Sequence, residues 1–67
     1  MKESAQIVAV LTTLAEVMDG WSDWCAKQCV RYAVGSIEAC LWRGQVTAYR
    51  SAAFLIRQRA ADLAALS

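Results

Sequence analysis

Three cysteines come closest, by residue type and spacing, to a chemical site in this sequence. Cys25 and Cys29 are one helical turn apart, and Cys40 falls in the same angular sector if the segment is a single helix. Cys29 and Cys40 would then lie ~16 Å apart along the axis, too far for one tetrahedral metal. Because histidine is also absent, we expect no metal and no cofactor. We interpret the cysteines as small apolar core residues, with a redox or metal role as the alternative.

Catalytic groups are poorly represented. Without histidine there is no imidazole base, and the three glycines are isolated, so neither a nucleophile elbow nor a phosphate-binding loop is present. The carboxylates of Glu16, Asp19 and Asp23 cluster where we expect a helix junction, and we interpret them as capping groups. We therefore predict no catalytic residues and a protein that is not an enzyme.

Aromatic and arginine side chains are the candidates for partner binding, because tryptophan, tyrosine and arginine dominate binding hot spots. The spacing of Trp24 and Trp42 predicts that they share one edge of a helix, beside Arg31. Arg50, Phe54 and Arg57 follow at i, i+4 and i+7, which places an aromatic ring between two guanidinium groups. The predicted partner-binding residues are Trp24, Trp42, Arg31, Arg50, Phe54 and Arg57. The alternative is structural, with the tryptophans folded over neighbouring helix ends and Phe54 buried against a second protomer.

Composition indicates a small helical domain that gains from association. The chain has 67 residues, of which 58% are hydrophobic and 19% charged, and it contains no proline. These values exclude a disordered tail. In a chain this short, the free energy from apolar burial barely offsets the entropy cost of ordering the backbone. We therefore expect a homodimer.

Periodicity predicts an all-α fold with three helices, at about residues 4–19, 22–43 and 45–66, separated by Gly20 and Gly44. The first helix is expected to bury a stripe of larger side chains: Ile7, Leu11, Leu14, Met18 and Trp21. In the third helix the spacing predicts a coiled-coil-like seam formed by Val46, Tyr49, Ala53, Ile56, Ala60 and Leu63. We expect a three-helix bundle protomer that pairs into a six-helix dimer. The alternative is a hairpin of the first two helices, with the third exchanged between protomers.

Charge, hydropathy and cysteine content limit the kinds of partner and the cellular compartment that we expect for this chain. The net charge is +1, although residues 43–67 hold four arginines against one acidic residue. The longest uncharged run, residues 4–15, is shorter than the ~20 apolar residues that a membrane span needs. An odd number of cysteines without disulfide-scaffold spacing favours a reducing, cytoplasmic environment.

These features favour a small protein-binding regulator, adaptor or inhibitor that masks a site on a larger protein with an acidic or apolar surface. Its size alone is typical of accessory proteins from phages and mobile elements. One alternative is a nucleic-acid-binding dimer that uses the arginine-rich third helix. Another is a structural subunit of a larger assembly.

Overall fold

The computed structural model describes residues 2–66, which form two long helices joined by a turn. Helix α1 spans Lys2–Cys29 and helix α2 spans Ile37–Leu66. The helices pack against each other along their length as an antiparallel hairpin, with Cα dimensions of 50 × 14 × 10 Å. The described part of the chain is therefore all-α, as the sequence predicts.

The prediction of three helices is wrong. Gly20 lies inside α1 and Gly44 lies inside α2, so neither glycine ends a helix. The break instead falls within residues 30–36, in the middle of the helix expected over 22–43. An internal glycine costs a helix only about 1 kcal/mol relative to alanine, which tertiary packing can offset. A glycine alone is therefore a weak signal for a helix end.

The turn between the helices depends on Gly35 and Ser36. The backbone N–H of Ser36 donates to the carbonyl of Ala33 at 3.0 Å, and Gly35 has φ +85° at the third position of this turn. A positive φ at that position is the requirement of a type II turn and favours glycine. The Ser36 hydroxyl then accepts a hydrogen bond from the N–H of Ala39 at 3.2 Å and caps the N-terminus of α2.

The seam predicted for the last helix is confirmed on α2. Val46, Ala53 and Ala60 are buried, and the intervening seam residues are half-buried. The alternating spacing of three and four residues keeps one narrow stripe facing α1 along the length of the hairpin.

The stripe predicted for the first helix is wrong in part, because Ile7, Leu14 and Trp21 are exposed. The buried side of α1 is a neighbouring stripe of mostly smaller residues, in which Ala15, Ser22 and Cys25 are buried. Small side chains let two helix backbones approach closely, and the larger ones are then left outside the contact. The half-buried members of this stripe are Ser4, Val8, Leu11, Met18 and Cys29.

Two contacts fix the register of the hairpin. The Ser22 hydroxyl donates to the carbonyl of Val46 at 3.3 Å, and the Cys29 thiol lies 3.9 Å from the carbonyl of Ala39. From the first contact to the second, α1 advances by seven residues and α2 goes back by seven, as expected for antiparallel helices. Continued by another heptad, the same register places Ala15 opposite Ala53.

The core of this hairpin is small for a protein of its size. Its buried apolar residues are alanine, cysteine and valine, and the exposed surface is 5038 Å². A compact monomer of 7.4 kDa is expected to expose about 4,200 Å². The hairpin thus presents about 800 Å² more surface than a compact monomer, and many large apolar side chains lie on it.

Candidate protein-interaction face

Large exposed apolar side chains on α1 line up on one side of the hairpin. They alternate at spacings of three and four residues, which gives a continuous stripe beside the buried seam. Their exposed fractions range from 39% for Leu14 to 66% for Val10. The stripe consists of Ile7, Val10, Leu14, Val17, Trp21 and Trp24.

Helix α2 extends this stripe into a face. Trp24 contacts Trp42, and Gln45 lies beside both in one groove, so this side of α2 adjoins the stripe. At 100° per residue, the same side of α2 continues through Leu41, Ala48, Ala52 and Leu55. None of these α2 residues and none of the α1 stripe is charged, and this side of α2 is bordered by Glu38 at one end and Arg59 at the other. We call the α1 stripe together with these α2 residues the uncharged face.

Two aromatic pairs shape the turn-proximal end of the uncharged face. Trp21 meets Tyr49 edge to face with ring centroids 5.5 Å apart, and Trp24 meets Trp42 in the same way at 5.4 Å. Edge-to-face contact is a preferred geometry for aromatic rings and holds each tryptophan of α1 against α2.

A groove of about 560 Å³ lies between these two pairs. The four rings form its walls, Cys25 and Gln45 complete its lining, and Cys25 is buried. Binding sites are commonly concave and apolar with a few polar groups, and contiguous exposed apolar patches commonly mark interaction surfaces. We call this concavity the aromatic groove.

The predicted pairing of Trp24 and Trp42 along one edge of a single helix is wrong. The two residues belong to different helices, and the turn at residues 30–36 brings them into contact. Trp24 is 55% exposed and Trp42 is half-buried. Trp21, expected in the core, is 50% exposed at the rim of the same groove.

Arg50, Phe54 and Arg57 lie on the other edge of α2. Arg57 forms an ion pair with Asp19 of α1, a residue on the side of α1 away from Trp24. The hydrogen bond to Asp19 raises the pKa of Arg57, partial desolvation opposes this, and the negative charges of Asp19 and Glu16 add to the rise. Five of the six predicted residues therefore divide between two surfaces.

The side chain of Phe54 is 61% exposed in the single chain. Arg50 is exposed one turn before it, and we call Arg50, Phe54 and Arg57 with Asp19 the charged edge. Arg31, the remaining predicted residue, is exposed in the turn between the helices.

The structure does not gather the three cysteines into one cluster. Cys25 is buried and Cys29 half-buried, as expected for small core residues, whereas Cys40 is exposed and lies on the other helix. Within residues 2–66, no group of three acidic, cysteine or histidine side chains could hold a metal ion.

Comparisons with known proteins leave the function to be argued from this geometry. No family model matches the sequence, and neither a characterised protein nor a solved structure is significantly similar to it. Across residues 2–66, neither helix carries a stretch that is long and apolar enough to cross a lipid bilayer.

Most residues of the uncharged face are not among the residues that the sequence predicts to bind a partner. Ile7 and Leu14 belong to the stripe that the sequence predicts to be buried. The available signal is that α1 carries two adjacent heptad-spaced stripes, one of small and one of large residues. Only one of them can face α2 in a two-helix hairpin.

Proposed function

We propose that this chain is a small non-enzymatic protein-binding regulator or adaptor, built as a helical hairpin with two separate contact surfaces. The uncharged face binds an apolar protein surface. The charged edge, with Arg50 and exposed Phe54, contacts a larger protein whose surface is acidic or apolar and masks a site on it. We further propose that it acts in the cytoplasm, where an exposed free thiol such as Cys40 stays reduced.

The separation of charge from apolar surface is the observation that carries this proposal. Glu16, Asp19 and Arg57 come together on one side of the hairpin, whereas six large apolar side chains line the other side of α1. An uncharged surface with a tryptophan-lined groove has the composition of an interface core. Burial of a face of this kind lowers the free energy, because it removes apolar surface from water.

Nucleic-acid binding is an alternative that the charged edge supports less well. Arg57 is neutralised by Asp19, so the edge presents less positive charge than its arginine count indicates. Binding dominated by phosphate contacts needs several unpaired cations and falls steeply with salt. Titration of duplex and single-stranded DNA and RNA at two salt concentrations tests this alternative.

Affinity purification from the native host tests the proposed function with matched variants. Val10→Arg places a charge on the uncharged face, and Thr12→Arg places the same charge at an exposed position of α1 outside this face. Phe54→Ala truncates the ring on the charged edge. We expect the Val10→Arg and Phe54→Ala variants each to lose co-purifying proteins that the Thr12→Arg variant retains. Recovery of the same proteins in the same amounts with all three variants would contradict the proposal.

A further inference from the structure

We infer that a second copy of this chain covers the uncharged face, packed so that the two α1 helices run antiparallel and form a four-helix bundle. This inference rests on the proposed function and names the partner of its uncharged face. The hairpin exposes about 800 Å² more than a compact monomer of its mass. A standard protein interface buries about 800 Å² on each partner.

The size order along the α1 stripe selects the antiparallel arrangement. Large residues stand at one end, Trp21 and Trp24, and smaller ones at the other, Ile7 and Val10. Antiparallel pairing about a point between Leu14 and Val17 puts each tryptophan opposite a smaller residue of the second copy. Parallel pairing would instead set tryptophan against tryptophan and leave the aliphatic ends underpacked. Cores pack well when large and small residues face each other.

The concavities of the face fit the same register. The aromatic groove of about 560 Å³ would receive Ile7 and Val10 of the second copy. A second depression, of about 340 Å³, is lined by Glu3, Gln6, Ile7 and Val10, at the end of the face where the second copy's Trp24 would lie. Both ends of the bundle are then filled by the same pair of contacts, as two-fold symmetry requires.

Charge does not oppose the pairing of the two α1 stripes. The stripe of α1 carries no ionisable side chain between Ile7 and Trp24. In the antiparallel register Glu3 lies opposite Gln28 of the second copy, whose amide can donate a hydrogen bond to the carboxylate. The charged edges, with Phe54 and Arg50, remain on the outside of the bundle and free for a larger protein.

Sedimentation equilibrium of the full chain tests the number of copies. We expect a mass of two chains for the wild type and for Thr12→Arg, and a dissociation constant raised at least ~100-fold for Val10→Arg, because pairing would bury its unpaired charge. The wild-type melting temperature should also rise with chain concentration, which tests the inference even where Val10→Arg does not fold. A wild type that is monomeric at high concentration would overturn the inference, as would an assembly larger than two chains.

Disulfide trapping tests the register, in a variant that has Cys25, Cys29 and Cys40 replaced by alanine and still sediments as a dimer. A mixture of Glu3→Cys and Gln28→Cys chains should form the mixed disulfide, and Glu3→Cys alone should form none. Self-linked Glu3→Cys would indicate parallel helices and would overturn the arrangement.

Failure of this inference is distinguishable from failure of the proposed function. A monomeric wild type whose host partners are lost in Val10→Arg would retain the function and assign the face to another protein. A monomer that instead floats with phosphatidylglycerol vesicles would assign the face to lipid and overturn the inference. If every variant co-purified the same proteins as the wild type, the proposed function itself would be wrong.

Discussion

Trp24 near the end of α1 and Trp42 near the start of α2 touch edge to face, with ring centroids 5.4 Å apart. This contact exists because the chain turns back between them, and it closes one end of the aromatic groove. The pair therefore links the fold of the hairpin to its candidate binding surface.

A double-mutant cycle on Trp24 and Trp42 should show coupling. Aromatic pairs contribute about 0.5–1.5 kcal/mol beyond their buried area. We expect Trp24→Ala and Trp42→Ala together to destabilise the hairpin by less than the two single changes summed, by about that amount. Urea unfolding followed by circular dichroism measures it. Strict additivity would show that the rings do not meet in solution.

Alanine scanning of the glycines should separate the two-helix from the three-helix fold. Gly35 has φ +85°, where an alanine Cβ costs about 1–2 kcal/mol, so Gly35→Ala should lower the free energy of unfolding. Gly20 and Gly44 are helical, and an added Cβ at either meets nothing within 4 Å. Gly20→Ala and Gly44→Ala should therefore raise stability by up to about 1 kcal/mol each. The opposite signs would contradict the hairpin and favour helix ends at Gly20 and Gly44.

Enlarging a residue of the seam should force the helices apart. Ala53 is 1% exposed and its register partner Ala15 is fully buried, so neither position has room for a larger side chain. We expect Ala53→Leu to destabilise the hairpin by about 1–3 kcal/mol. Ala61→Leu, at an exposed position of the same helix, should change stability by less than about 0.5 kcal/mol. Equal effects of the two substitutions in thermal unfolding would place the seam elsewhere.

The ion pair between Asp19 and Arg57 should respond to salt but not to alkaline pH. Both side chains are substantially exposed, so salt screens their attraction. The coupling between Asp19→Asn and Arg57→Gln should therefore shrink as ionic strength rises.

The pH dependence of this pair follows from the raised pKa of Arg57. A cation whose pKa is raised by folding stabilises below its unfolded pKa and loses that contribution only as pH rises through the folded value. For arginine this lies above the working range. The stability difference between wild type and Arg57→Gln should stay constant from about pH 7 to about pH 10. A decrease over that range would show that another titrating group controls the edge.

The sequence predicts the helical class and the α2 seam because both depend on local spacing. Val46, Ala53 and Ala60 are buried as their spacing indicates. The helix ends could not be predicted from glycine alone, since Gly20 and Gly44 are tolerated inside helices. The useful signal was local chemistry at Gly35 and Ser36, a residue suited to positive φ followed by a good N-cap.

The candidate site was harder to predict than the fold. The choice between the two stripes of α1 depends on which one packs against α2, and hydropathy favours the larger residues. The structure buries Ala15 and Ser22 instead, because small residues match the alanines of α2. The contact between Trp24 and Trp42 then depends on the position of the turn, which the predicted continuous helix over 22–43 excluded.

Hydroxyl-radical footprinting of the wild-type chain, at a concentration where it associates, tests whether a second copy covers the uncharged face. In the lone hairpin Trp24 is 55% exposed and Phe54 is 61% exposed, so the two rings serve as matched probes on opposite surfaces. We expect Trp24 to be protected and Phe54 to remain reactive, relative to the intrinsic reactivity of each ring, and dilution to remove the protection of Trp24. Equal reactivity of both rings at every concentration would contradict it.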